Sequence, residues 1–123
     1  MVANAEKAFD ELRAAVTREI KDPARAKQSV ALVDEMDQIV AAADRDRKVH
    51  EARLRALNES YDSTPEQLRG AFRDYNALRN DWQARTLELN LRAKTLVTPA
   101  EWQALAKVRE QAARKAAQIG AGL

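Results

Sequence analysis

Apolar and small residues recur at alternating three- and four-residue steps along two long segments of the chain. The first series is Ala26, Ser29, Val33, Met36, Val40, Ala43, then Arg47, His50, Leu54, Leu57 and Tyr61. The second is Leu68, Phe72, Tyr75, Arg79, Trp82, Thr86, Leu89, Ala93 and Leu96. Such spacing marks the seam of one helix packed lengthwise on another. Between the series lies a polar turn, Tyr61-Asp62-Ser63-Thr64-Pro65. Folding the chain back at 61–64 sets Leu57 with Leu68, Leu54 with Phe72, His50 with Tyr75, Ala43 with Trp82, Met36 with Leu89 and Val33 with Ala93. A small residue, Ala43, then faces the largest, Trp82, as a filled seam requires. The pattern predicts a long antiparallel helical hairpin with arms over about 23–60 and 65–97. The first arm would be about 55 Å long at 1.5 Å per residue.

Two shorter stripes flank the hairpin. Val2, Ala5, Phe9, Leu12, Val16 and Ile20 predict a helix over about 2–21, and Trp102, Leu105, Val108, Ala112, Ala116 and Ile119 predict another over about 99–119. Gly120-Ala121-Gly122 is a stop for the latter. The breaks share one grammar. Asp22-Pro23, Thr64-Pro65 and Thr98-Pro99 each place a capping side chain before a proline whose missing N–H is not needed in the first turn. Gln67 and Glu101 stand where a capping box places them. Gly70 interrupts the second arm at a cost of about 1 kcal/mol relative to Ala, either for a close contact near the turn or as a tolerated glycine.

The expected fold is therefore all-α, with four helices in a single domain over 1–123. Flanking helices about half as long as the arms cover only the open half of the hairpin. The tip half, roughly residues 44–78, keeps Val49, Leu54, Leu57, Leu68 and Phe72 uncovered, and a homodimer is expected to cover them. Leu87 and Leu91 form a further apolar pair off the main seam.

Composition narrows the function classes. The chain is 46% hydrophobic and 33% charged with three Gly, a profile of long helices. Its 21 basic and 19 acidic residues leave a net of +2. Their signs alternate, as in Asp44-Arg45-Asp46-Arg47-Lys48, which reads as a solvated face laced by i,i+4 pairs. Lys107, Arg109, Arg114 and Lys115 suit the end of a helix dipole and have no aromatic platform, so no nucleic-acid partner is expected. The absence of cysteine excludes disulfides, thiol catalysis and Cys-based zinc sites. No apolar run approaches the roughly 20 residues that span a bilayer, so no membrane insertion is expected. His50, the sole histidine, would need Asp46 to act as a general base or half a metal site. A partly buried histidine in the seam is the preferred reading. No catalytic residue, metal site or cofactor is expected.

Two segments carry a resemblance. Leu96-Val97-Thr98-Pro99-Ala100-Glu101-Trp102 and Thr64-Pro65-Glu66-Gln67 look like the Leu-Thr-x-x-Gln signature of the Spy/CpxP-like family of small periplasmic helical proteins. The layout of four helices with a long central hairpin and no cysteine is similar too. In this chain Val97 precedes Thr98, Glu101 stands in place of Gln, and the Thr64 copy lies at the hairpin turn. The resemblance implies a cradle-shaped antiparallel dimer that chaperones unfolded envelope proteins without ATP. Some relatives sense envelope stress or bind zinc, but the zinc-binding histidines have no counterparts here. The expected function is thus a non-enzymatic periplasmic chaperone-like or envelope-stress protein. Its partly unfolded clients would meet Leu87, Leu91, Trp102 and Leu105, if these are exposed. The alternative is a structural coiled-coil dimer scaffold with one specific protein partner, in the cytoplasm if no leader directs export; the chain as given opens without a basic-then-apolar leader.

Overall fold

The structure, a computed structural model, describes residues 2–119, with side chains over 5–118. The Gly120-Ala121-Gly122 stop and the side chains of Val2 and Ile119 lie outside the described residues. Among the described residues all regular structure is helical: α1 Val2–Glu19, α2 Pro23–Glu59, α3 Pro65–Thr95, α4 Pro99–Ala104 and α5 Ala106–Ile119. The first three fall within two residues of expectation.

Each proline-marked start is built from side chains already adjacent in sequence. Asp22 is extended and accepts from the Arg25 N–H at 3.1 Å, with Pro23 opening α2. Thr64 accepts from the Gln67 N–H at 3.2 Å while Gln67 Oε1 accepts from the Thr64 N–H at 2.9 Å. Thr98 and Glu101 repeat the box at 3.1 and 2.9 Å. These boxes satisfy orphan donors that every helix N-terminus carries.

The expected single helix over 99–119 is divided at Leu105. Here the Leu105 N–H bonds to Glu101 and the Leu105 carbonyl accepts from Arg109. The Trp102 carbonyl instead accepts from the Arg109 guanidinium at 2.9 Å. A side chain thus takes a carbonyl that a continuous helix would bond to a backbone N–H, a recognised origin of helix breaks.

α2 and α3 meet along their lengths. Glu35 pairs with Arg92, His50 stacks on Tyr75 with ring centroids 5.6 Å apart, and Arg53 pairs with Asp74 at 2.8 Å. The partner number on α3 falls as the number on α2 rises. Near the open end the expected seam is buried: Val33, Val40, Ala43, Trp82 and Leu89 are all interior. Toward the turn it is not. Phe72 is 54% exposed and Ala71 is buried in its place, with Leu78 packed on the core and Arg79 outside over Tyr75. A straight helix at 3.6 residues per turn drifts out of a 3.5-residue repeat, and eleven residues from Trp82 the drift has moved the inward position by one. Tyr61, assigned to the seam, lies beyond the end of α2 and is fully exposed.

α1 and α5 lie over the open half. Ala5 and Phe9 join Val40, Ala43, Trp82, Ala112 and Ala116 in one cluster. Ala15, Val16, Ile20, Ala26 and Leu105 form a second at the junction. Arg13 ties α1 to α2 by reaching Asp34 and Asp37, both at 2.7 Å. The residues of the 44–48 charge run are not all solvated: Asp44 is buried, accepting from Arg47 and Lys48 at 3.0 Å each. These two cations, Lys48 foremost, lower its pKa. Beyond Asp44 the tip contributes only Ala71 to the buried apolar set, and Val49 is 67% exposed.

Candidate functional site

The open end of the helix assembly is held by one carboxylate. Glu101 accepts from Arg25 Nη1 at 2.7 Å and Nη2 at 3.3 Å, from the Thr98 N–H and from the Lys21 N–H at 3.2 Å. Arg25 Nη1 also donates to the Leu96 carbonyl at 2.8 Å. The α1–α2 junction, the end of α3 and the start of α4 therefore converge on a single ion pair. Arg25 foremost, then the two backbone donors, hold the Glu101 pKa down to about 2. Ligation of a carboxylate by several N–H groups has this effect because each favours the charged form.

This junction sets where the last helix goes. α5 packs on α1 and α2 rather than against α3. A cavity of about 220 Å³ remains, with α3 and α5 among its walls. Phe9, Val16, Val33 and Met36 line it from α1 and α2, Leu89 and Ala93 from α3, and Ala112 and Ala116 from α5. Trp102 and Leu105 line it from the α4 side.

A few polar groups border this apolar lining. Ser29 is buried, and its Oγ has no hydrogen-bond partner. Arg109 stacks its guanidinium 3.6 Å above the Trp102 ring centroid and donates from Nη2 to the Trp102 carbonyl. Its Nε is buried and unpartnered. No carboxylate pairs with Arg109 among the described residues, and burial alone lowers its pKa from the ordinary arginine value. The Lys94 ammonium lies 5.9 Å from the same ring.

The four side chains expected to meet clients separate into three environments. Leu87 and Leu91 are exposed on α3, at 46% and 59%. Trp102 is half-buried beneath Arg109. Leu105 is a correction to that expectation: it is 3% exposed, packed with Val16, Ile20 and Ala26, because the turn at the α4–α5 boundary directs it inward. Trp102 and Leu105 come together as cavity lining; Leu87 and Leu91 do not join them. His50 lies in the α2–α3 seam against Tyr75 with Nδ1 buried and unpartnered, and makes no hydrogen bond to Asp46. Among the described residues no three His, Cys, Asp or Glu side chains gather where a metal could be held.

Periodicity did not point to Arg25, Ser29 or Arg109 as site residues. Only Arg109 left a local signal, since it follows Trp102 by seven residues, two turns along one helix face. Comparison with protein-family models, with curated proteins and with solved structures finds no significant match to this chain.

Proposed function

We propose that the chain is a non-enzymatic, chaperone-like protein, built on an antiparallel α2–α3 hairpin, that binds partly unfolded proteins through the outer face of α3. The observation carrying this reading is the pair Leu87 and Leu91. They sit one turn apart, both exposed, while neighbouring Thr86 and Leu89 face the interior. Neighbouring positions on that face, Ala84, Asn80, Ala77 and Asn76, are exposed and uncharged, with Arg73 beyond them. An uncharged strip carrying two exposed leucines suits unfolded segments that expose apolar side chains, and exposed apolar surface on a small protein marks an interaction site. No helix among the described residues is long and apolar enough to cross a membrane. The resemblance drawn from the Thr98 and Thr64 segments points to the periplasm.

The test is light scattering from two unrelated, chemically unfolded clients diluted with and without the protein, in the absence of ATP. Suppression near stoichiometric ratios is expected, and the double substitution Leu87→Lys with Leu91→Lys should abolish most of it. Because both side chains are exposed, stability should change by no more than about 0.5 kcal/mol per site. No suppression at several-fold excess would discard the chaperone reading.

The exposed tip favours a second reading, a coiled-coil dimer scaffold that holds one dedicated protein partner. Val49 and Phe72 are large, apolar and uncovered on a half of the hairpin that α1 and α5 do not reach. Tolerance of unrelated clients separates the chaperone from the scaffold.

A further inference from the structure

The cavity beneath α3 has a composition that filling space does not explain. A half-open apolar cavity of 220 Å³ in a chain of 123 residues forfeits packing that its lining would otherwise gain. Two of its lining residues also carry unsatisfied buried polar atoms, Ser29 Oγ and Arg109 Nε. Orphaned buried groups are rare in folded proteins, and each one calls for a partner. Here the partners would have to come from outside the chain.

The chemistry of those atoms defines the partner. Arg109 is a cation with no carboxylate partner among the described residues, set against Trp102, with Nε buried and left without a hydrogen bond. Lys94 adds a second positive charge at the same ring. Apart from Thr86, whose hydroxyl donates to the Trp82 carbonyl, and Asn90 on the exposed side, the rest of the lining is apolar. We infer that this cavity is a binding site for a small amphipathic carboxylate, its alkyl part among Phe9, Met36, Leu89 and Ala112 and its carboxylate on Arg109. Ser29 Oγ is a further unpartnered donor in the same lining. A void of about 150 Å³ holds benzene, so 220 Å³ admits a chain of about eight carbons. This goes beyond client binding, which uses the opposite face of α3.

Octanoate is the probe, with octanol and octylamine as matched controls, titrated into the intact chain by calorimetry and by tryptophan fluorescence, Trp102 lining the cavity and Trp82 lying outside its lining. Octanoate should bind at one site in the sub-millimolar range, as expected for about ten heavy atoms in an apolar pocket. Octanol should bind about tenfold more weakly, because a charge-assisted hydrogen bond is lost, and octylammonium should not bind. Arg109→Met should remove the preference for octanoate over octanol while leaving octanol affinity within about twofold. Arg109→Lys keeps the charge and should retain at least part of the preference; it substitutes if the methionine variant misfolds.

Equal affinity for octanoate and octanol in the unaltered protein overturns the assignment, as does failure of both to bind. A binding stoichiometry that falls toward zero as protein concentration rises gives the cavity to a second copy of the chain and overturns it too.

Discussion

Ala43 and Trp82 test the packing on which the site rests. Both are interior, at 0% and 3% exposure, in one cluster. Each lies seven residues from the His50–Tyr75 stack on its own arm, so the pairing that sets His50 on Tyr75 also sets Ala43 level with Trp82. Trp82→Ala removes an indole that buries about 150–250 Å². At about 25 cal/mol per Å² this is about 4–6 kcal/mol, an upper bound because the denatured chain is not fully extended. Measured Trp→Ala costs of about 3–5 kcal/mol agree. Ala43→Leu forces three heavy atoms into a site without space and should cost about 1–3 kcal/mol.

The informative quantity is the double variant. If the two side chains face each other, the leucine enters the space the indole vacates and the costs do not add. The double variant should then be less destabilised than the sum of the singles by about 1–3 kcal/mol. Urea unfolding followed by far-ultraviolet circular dichroism measures all four proteins without depending on tryptophan fluorescence. A chain of this length has about 6–18 kcal/mol in total, so Trp82→Leu replaces the alanine variant if that one is unfolded. Costs that add to within about 0.5 kcal/mol would show that the residues do not share a site, and the α2–α3 register argued above would be wrong.

Gly70 lies inside α3 with nothing within 4 Å of where a Cβ would stand, which removes the close-contact reading. Gly70→Ala should stabilise the protein by about 0.5–1 kcal/mol and raise the melting temperature by about 2–5 °C, whereas a destabilised variant would reveal an unseen neighbour. Glu101 has a folded pKa of about 2 against an ordinary 4.5, so its contribution to stability is complete above pH 4.5 and is lost as pH falls toward 2. Stability measured by denaturant across that window should fall more steeply for the unaltered chain than for Glu101→Gln; parallel slopes would mean that Glu101 is not held as described.

Which features could be read from sequence followed how far apart their partners lie. The capping boxes at Thr64 and Thr98 were legible because cap, proline and Gln67 or Glu101 fall within four residues. The seam was legible where the repeat is short, from Val33 to Ala43 and from Trp82 to Leu89, and failed at Phe72, where drift had accumulated. Glu101 was legible as a capping residue and illegible as a junction, because Arg25 lies 76 residues away and no periodicity relates them. Asp44 sits in an alternating charge run that is elsewhere solvated; it is buried only because of the neighbours that surround it. The break at Leu105 depends on Arg109 capturing the Trp102 carbonyl, and a strong 3.6-residue stripe over 102–119 gave no hint of it.

That break decides what the cavity is. Ala93, Ala112, Ala113 and Ala116 line the space from α3 and α5, and small side chains normally let two helices close on one another. Closure does not occur here because α5 is committed to α1: Ala112 and Ala116 join the Phe9 cluster, and Leu105 joins the Val16 cluster. The Glu101–Arg25 pair fixes the other end of the same connection. The half-open cavity is therefore a product of how the ends are tied. α3 consequently carries two separate surfaces, Leu89 and Ala93 toward the cavity and Leu87 and Leu91 toward solvent. A carboxylate in the cavity can reach the outer pair only by moving α3 itself. α3 is held against α2 by Trp82 and by the Arg53–Asp74 pair. The two proposed sites are thus physically separable. Loss of client binding in the Leu87 and Leu91 variant with octanoate binding intact would discriminate the two surfaces, and so would the reverse pattern at Arg109.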